Sequence, residues 1–168
     1  MTFAHDADAL WREAVEGVGA GWTCAEATLH ALLRAADLDT APVCWAAAGY
    51  RGAICSGRTI CGALYGATVF LGVLRGARAH GSACAHGGDA APDAPGRQAA
   101  IDDVSALFAG FLDAFGATEC ATLTGVDLGD PDARAAFLSR YYAAGLDHPC
   151  NQQIGWAIRF CLERLAAP

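Results

Sequence analysis

Four cysteines in this chain, Cys24, Cys61, Cys120 and Cys150, each follow a threonine by one or two residues or stand beside a proline. They fall where apolar spacing predicts that a helix starts: "TCAEATLHALL", "TICGALYGA", "TECATLTG" and "HPCNQQIGW". The first turn of a helix has backbone N–H groups without intrahelical partners and the positive end of the helix dipole. Both favour thiolate over thiol, so these positions predict lowered cysteine pKa values. Thiolates bind metals and attack disulfides. If the four helix starts meet in space, they make a ligand set for an iron–sulfur cluster or a closed zinc site. The same residues also suit a thiol oxidoreductase or sulfur-handling enzyme, in which one cysteine attacks and another resolves. Any one of them alone reads equally as a small buried apolar side chain, but four coincident helix starts favour chemistry.

Other side chains can join such a site. Cys55 precedes Cys61 in a glycine-containing turn and can substitute for a ligand or resolve a disulfide, while His148, beside Pro149, can hydrogen-bond a cluster sulfur or move a proton. These two are the candidate catalytic residues. Gly62 and Gly66, one turn apart, leave a smooth helix face for another backbone or a bulky cofactor. Arg58, like Arg51, can bind an anion or an acidic partner, so Gly62, Gly66 and Arg58 are candidate cofactor-binding residues. His80, Cys84 and His86 in "HGSACAH" have metal-ligand spacing without a fourth ligand or a rigid frame. Cys161 falls about 16 Å along the helix from Cys150 at 1.5 Å per residue, which excludes a shared cluster. It joins Ile154, Ala157, Ile158, Leu162 and Leu165 in one apolar stripe, a core position, and Cys44 beside Trp45 reads the same way.

The elements that must position these residues are all helical. Leu10, Trp11, Ala14, Val15 and Val18 recur at helical spacing. Thr23 and Glu26 fit a capping box ahead of a stripe of Ala25, Leu29, Leu32 and Leu33. A short helix opens at Thr40 and Pro42, and a long apolar helix runs from Ile60 to about Ala77. Residues 80–97, rich in Gly, Ala and Pro, predict a flexible loop. Ile101, Val104, Leu107, Phe108, Phe111, Leu112 and Phe115 mark a clean amphipathic helix closed by Gly116. Asp130 with Pro131 opens another, Gly145 closes it, and the last begins near Pro149. No segment alternates as a strand does. The expectation is an all-α bundle of about six to seven helices in a single domain over residues 1–168.

The order and flanks of the four cysteines resemble the C-GCAxxG-C-C family of redox-active proteins over roughly residues 15–155. "WTCAEATLHAL" is similar to its first cysteine segment, "CGALYGATVFLG" to its CGAxxG motif and "FGATECATLTGVDL" to its third, and "HPC" supplies the fourth cysteine. The resemblance implies that Cys24, Cys61, Cys120 and Cys150 act together. The related split-Soret cytochromes imply a [4Fe–4S] or [2Fe–2S] cluster for electron transfer or small-molecule redox chemistry, which makes an iron–sulfur oxidoreductase the enzyme class to test. Arg51-Gly52 stands where the family often has a glycine pair. No CxxCH is present, so covalently attached haem is not expected.

Composition narrows the partners. The 168 residues include 18 acidic and 11 basic side chains, a net charge of −7, with the arginines scattered, which argues against nucleic acid. The longest uncharged run, 16 residues between Arg58 and Arg75, is too short for a membrane span. An acidic N-terminal segment without a secretory pattern, together with eight cysteines, predicts a cytoplasmic protein with free thiols and not a disulfide framework. With 54% hydrophobic and 17% charged residues, the chain has apolar surface to spare for a homodimer, and the remaining expected partner is a redox protein or a small-molecule substrate.

Overall fold

The computed structural model describes residues 6–38, 41–80 and 95–166, and these fold as α-helices joined by short turns. Of the predicted loop at 80–97, residues 81–94 with Cys84 and His86 lie outside the described residues, as does the side chain of His80, while the backbone of His80 ends one helix and Arg97 opens the next. Seven helices have eight residues or more: α1 (Ala7–Gly19), α2 (Cys24–Ala35), α3 (Ala41–Ala48), α5 (Gly62–His80), α6 (Arg97–Phe115), α8 (Pro131–Ala143) and α9 (Pro149–Ala166). Two single-turn helices, α4 (Tyr50–Ile54) and α7 (Cys120–Thr124), and a 3-10 turn at Gly145–Asp147 complete the described chain. The all-α expectation holds.

Local chemistry sets most of the boundaries. The Thr23 hydroxyl accepts the Glu26 N–H at 3.2 Å, and the Glu26 carboxylate accepts the Thr23 N–H at 2.8 Å, which closes the capping box of α2. Asp130 accepts the N–H groups of Asp132 and Ala133 and starts α8, with Pro131 at its first position. Gly116 takes φ +75° and ends α6, a conformation that costs a side-chain-bearing residue energy.

The long apolar helix differs from the sequence expectation at both ends, running on to His80 past about Ala77. The long apolar helix begins at Gly62, two residues after Ile60, because the preceding backbone is engaged elsewhere. Ile60 faces Glu119 in an isolated antiparallel bridge. Either side of it, the Cys61 N–H donates to the Thr118 carbonyl at 2.7 Å and the Cys120 N–H to the Thr59 carbonyl at 2.9 Å.

The core forms around α2, which packs on α1, α3, α5 and α9, while α5 also packs on α6 and α9. Leu29, Leu32 and Leu33 of α2 meet Leu64, Phe70 and Leu71 of α5, with Leu107 and Phe111 from α6 and Ile154 and Ile158 from α9, all fully buried. Cys161 is buried among them, as the apolar stripe predicts. Burial pushes its thiol up, Asp103 pushes it further and Arg164 opposes them. Cys44 is half-buried and lines a shallow hollow with Trp22, His30 and the exposed Trp45. Asp103, itself buried, accepts from the Arg75 guanidinium at 2.6 Å and ties α6 to α5. Among the described residues no helix is long and apolar enough to cross a membrane.

A candidate metal centre at four helix starts

Each of the four cysteines arrives by a different device. Cys24 is the first residue of α2, immediately after its threonine cap. Cys61 directly precedes α5, where its carbonyl accepts the Tyr65 N–H at 3.0 Å and its sulfur receives the N–H groups of Leu64 and Ala63. Cys120 opens α7 and is held beside Cys61 by the paired backbone bonds. Cys150 is the second residue of α9, and its N–H donates to Nδ1 of His148 at 3.1 Å. His148 therefore caps α9, with its ring against Phe137 and Tyr141.

The four sulfurs are within electrostatic reach of one another. Burial holds the Cys24 thiol well above its ordinary pKa, and Cys61, Cys150 and Cys120 each add to that. Burial pushes Cys61 up to about 12, against the pull of the Leu64 and Ala63 N–H groups, and Cys120 contributes in the same direction. Cys150 is raised by burial, then by Cys61 and Cys120, and Cys120 is raised by burial. The expectation of lowered pKa values is thus reversed. Helix-start N–H groups do act on these sulfurs, but withdrawal from water outweighs them. Without a bound cation the thiols stay protonated, and Cys61 donates its S–H to the buried Gln153 carbonyl oxygen at 3.3 Å. A metal's charge inverts this balance and deprotonates a coordinating thiol outright.

Cys24, Cys120 and Cys150 line a cavity of about 90 Å³ whose other walls are mostly apolar: Trp22, Ile54, Leu128, Phe137 and Leu138. Cys55 lines the same cavity, so it reaches the four-cysteine site as its position in the turn suggested. Arg51 and Arg134 also reach the cavity, and Arg134 is fixed by donating to the Leu128 carbonyl at 2.5 Å. Arg58 instead lines a surface hollow with Gly57, Thr59 and Glu119. Among the described residues no three His, Cys, Asp or Glu side chains are gathered tightly enough to hold a metal ion as they stand.

Gly62 and Gly66 lie where α5 meets α2. A Cβ on Gly62 would sit 2.3 Å from the Cys24 sulfur, and one on Gly66 would sit 2.5 Å from the Ala25 carbonyl oxygen. Their smoothness therefore seats the N-terminal turn of α2, and Cys24 with it. Gly66→Ala is expected to lower stability by about 1–3 kcal/mol through overpacking, despite alanine's better helix propensity. Gly72→Ala on the same helix meets nothing within 4 Å and is expected to raise stability by roughly 0.5–1 kcal/mol. Urea midpoints check the pair; a Gly66→Ala midpoint at or above wild type contradicts the close approach.

Two tyrosines escaped the sequence reading. Tyr50 stacks on Tyr65 at 4.0 Å and donates its hydroxyl to the Ile60 carbonyl at 2.6 Å, bracing the bridge; burial raises its pKa to about 12. Tyr141 lines the cavity, and its buried hydroxyl has no hydrogen-bond partner among the described residues. Leaving such a group unpaired costs about 1–3 kcal/mol. Neither tyrosine lies in a cysteine segment, so no motif flags them.

A family profile described as "Putative redox-active protein (C_GCAxxG_C_C)" matches residues 22–164, a span that takes in all four cysteines. The chain belongs to the C-GCAxxG-C-C family. Curated proteins and solved structures give no match. The order of the four cysteines is that of C-GCAxxG-C-C proteins, and here Cys24, Cys120 and Cys150 line one cavity while Cys61 is buried within their electrostatic reach.

Proposed function

We propose that Cys24, Cys61, Cys120 and Cys150 hold an iron–sulfur cluster, [4Fe–4S] or [2Fe–2S], and that the protein uses it for electron transfer or redox chemistry on a small molecule. The observation that carries this reading is one apolar cavity lined by Cys24, Cys120 and Cys150, from three separate helix starts, with the buried Cys61 within electrostatic reach of all three. The donor set suits such a core: sulfurs spread about a cavity fit a many-atom cluster better than a single zinc ion, whose Zn–S bonds are about 2.3 Å. The unpaired Tyr141 hydroxyl is a further sign that the cavity is built to contain a polar occupant. A cluster supplies reversible one-electron storage. The chain's own part is to shield it from water with Trp22, Ile54, Phe137 and Leu138, and to offset its negative charge with Arg51 and Arg134. His148 holds the Cys150 turn in place, and Cys55 is a spare thiol on the cavity wall.

Thiol exchange is the competing reading, and Cys55 is what favours it. Against it, burial keeps the thiols of Cys24, Cys61 and Cys150 protonated, and the thiol is the unreactive form. The deciding experiment measures iron, acid-labile sulfide and zinc per chain, with the visible spectrum, on protein purified without oxygen. Near-equal iron and sulfide with a brown colour supports the cluster. Colourless protein that takes up no iron on reconstitution overturns it, with zinc or oxidant-dependent disulfides then naming the replacement. A cytoplasmic homodimer with a redox partner completes the proposal; the exposed Trp45 and Leu112 support association, and sedimentation velocity tests it.

A further inference from the structure

We infer that the Tyr141 hydroxyl donates a hydrogen bond to a sulfur of the group held by the four cysteines, and that this bond favours the group's reduced state. The inference rests on the cluster reading above and concerns a residue outside the four cysteine segments. Three observations lead to it. Tyr141 comes from α8, which supplies none of the four cysteines, yet its side chain lines their cavity. Its hydroxyl is withdrawn from solvent and finds no hydrogen-bond partner among the described residues. The remaining cavity walls are largely apolar, which points to the occupant as the acceptor. The ring is fixed in place, stacked on Phe137 and tilted against His148, which itself caps the helix of Cys150. A donor to a cluster sulfur stabilises the extra electron and raises the reduction potential.

Tyr141→Phe removes one oxygen and keeps the ring. Two measurements are made on it: thermal stability of the cluster-free protein, and midpoint potential of the loaded protein by redox titration. The inference expects a cluster-free variant at least as stable as wild type, because the deleted hydroxyl has no partner among the described residues. It also expects a loaded variant with wild-type iron and sulfide and a more negative potential. An unchanged potential at equal loading overturns the inference and leaves the cluster standing. A destabilised or unfolded cluster-free variant also overturns it, since the hydroxyl then has a partner in the chain. Wild-type protein without iron and sulfide overturns the cluster reading and this inference together.

Discussion

Cys61→Ser protein is expected to fold as wild type does and to emerge with little or no iron and sulfide. The two halves of this expectation have separate causes. Cys61 precedes α5, with its sulfur receiving the N–H groups of Leu64 and Ala63. Serine is among the preferred residues at that position and accepts such bonds better than a thiol, so the helix start is kept or slightly strengthened. Its hydroxyl can also donate to Gln153 as the S–H does. What serine lacks is a soft thiolate for iron. Circular dichroism and urea unfolding within about 1 kcal/mol of wild type, beside iron and sulfide reduced several-fold, separate ligand from scaffold. Full loading in the variant removes Cys61 from the ligand set and makes Cys55, on the cavity wall, the residue to replace next.

The second large effect lies away from the cavity. Asp103→Ala is expected to cost about 3 kcal/mol, the low end for breaking a buried ion pair. Asp103 is nearly enclosed and bonds Arg75 at 2.6 Å, while Arg164 stands 3.8 Å away on its other oxygen. Removing the carboxylate leaves the Arg75 charge uncompensated, and Arg75 keeps only limited access to water. The double variant Asp103→Leu with Arg75→Met is expected to recover most of the loss, because an apolar pair of similar size replaces the ions without an orphan charge. Urea midpoints decide: a single variant within roughly 0.5 kcal/mol of wild type, the scatter of neutral surface changes, contradicts the assignment.

Much of the scaffold was legible because its signals are local. The Thr23 and Glu26 capping box, the Asp130-Pro131 start and the Gly116 stop each operate within four residues, and each is found where the sequence puts it. The four cysteines were legible as helix starts and not in their electrostatics. Helix-start N–H groups can be read from Thr23-Cys24, but burial, which outweighs them, depends on residues brought from α5, α8 and α9. For the same reason Arg51 and Arg58, seven residues apart, were indistinguishable until the bridge placed Arg58 over a surface hollow and the fold brought Arg51 to the cavity. The start of α5 moved from Ile60 to Gly62 because its competing partner, Thr118, is far away in sequence.

The pairing at Ile60 and Glu119 also bears on how the protein tolerates mutational drift. The bonds that set Cys61 beside Cys120 run through backbone N–H and carbonyl groups, two of them the N–H groups of the cysteines themselves. Side chains at 118 and 119 can therefore vary in size and charge without moving those sulfurs, provided extended backbone is retained, while Thr59 bonds the Tyr50 hydroxyl and Ile60 packs on the core. Only proline at 61 or 120 deletes a donor, and proline there would already have cost the thiol. Positional accuracy at this half of the site is thus stored in the main chain, insulated from most sequence change, whereas the Cys24 half depends on two glycines that tolerate almost none.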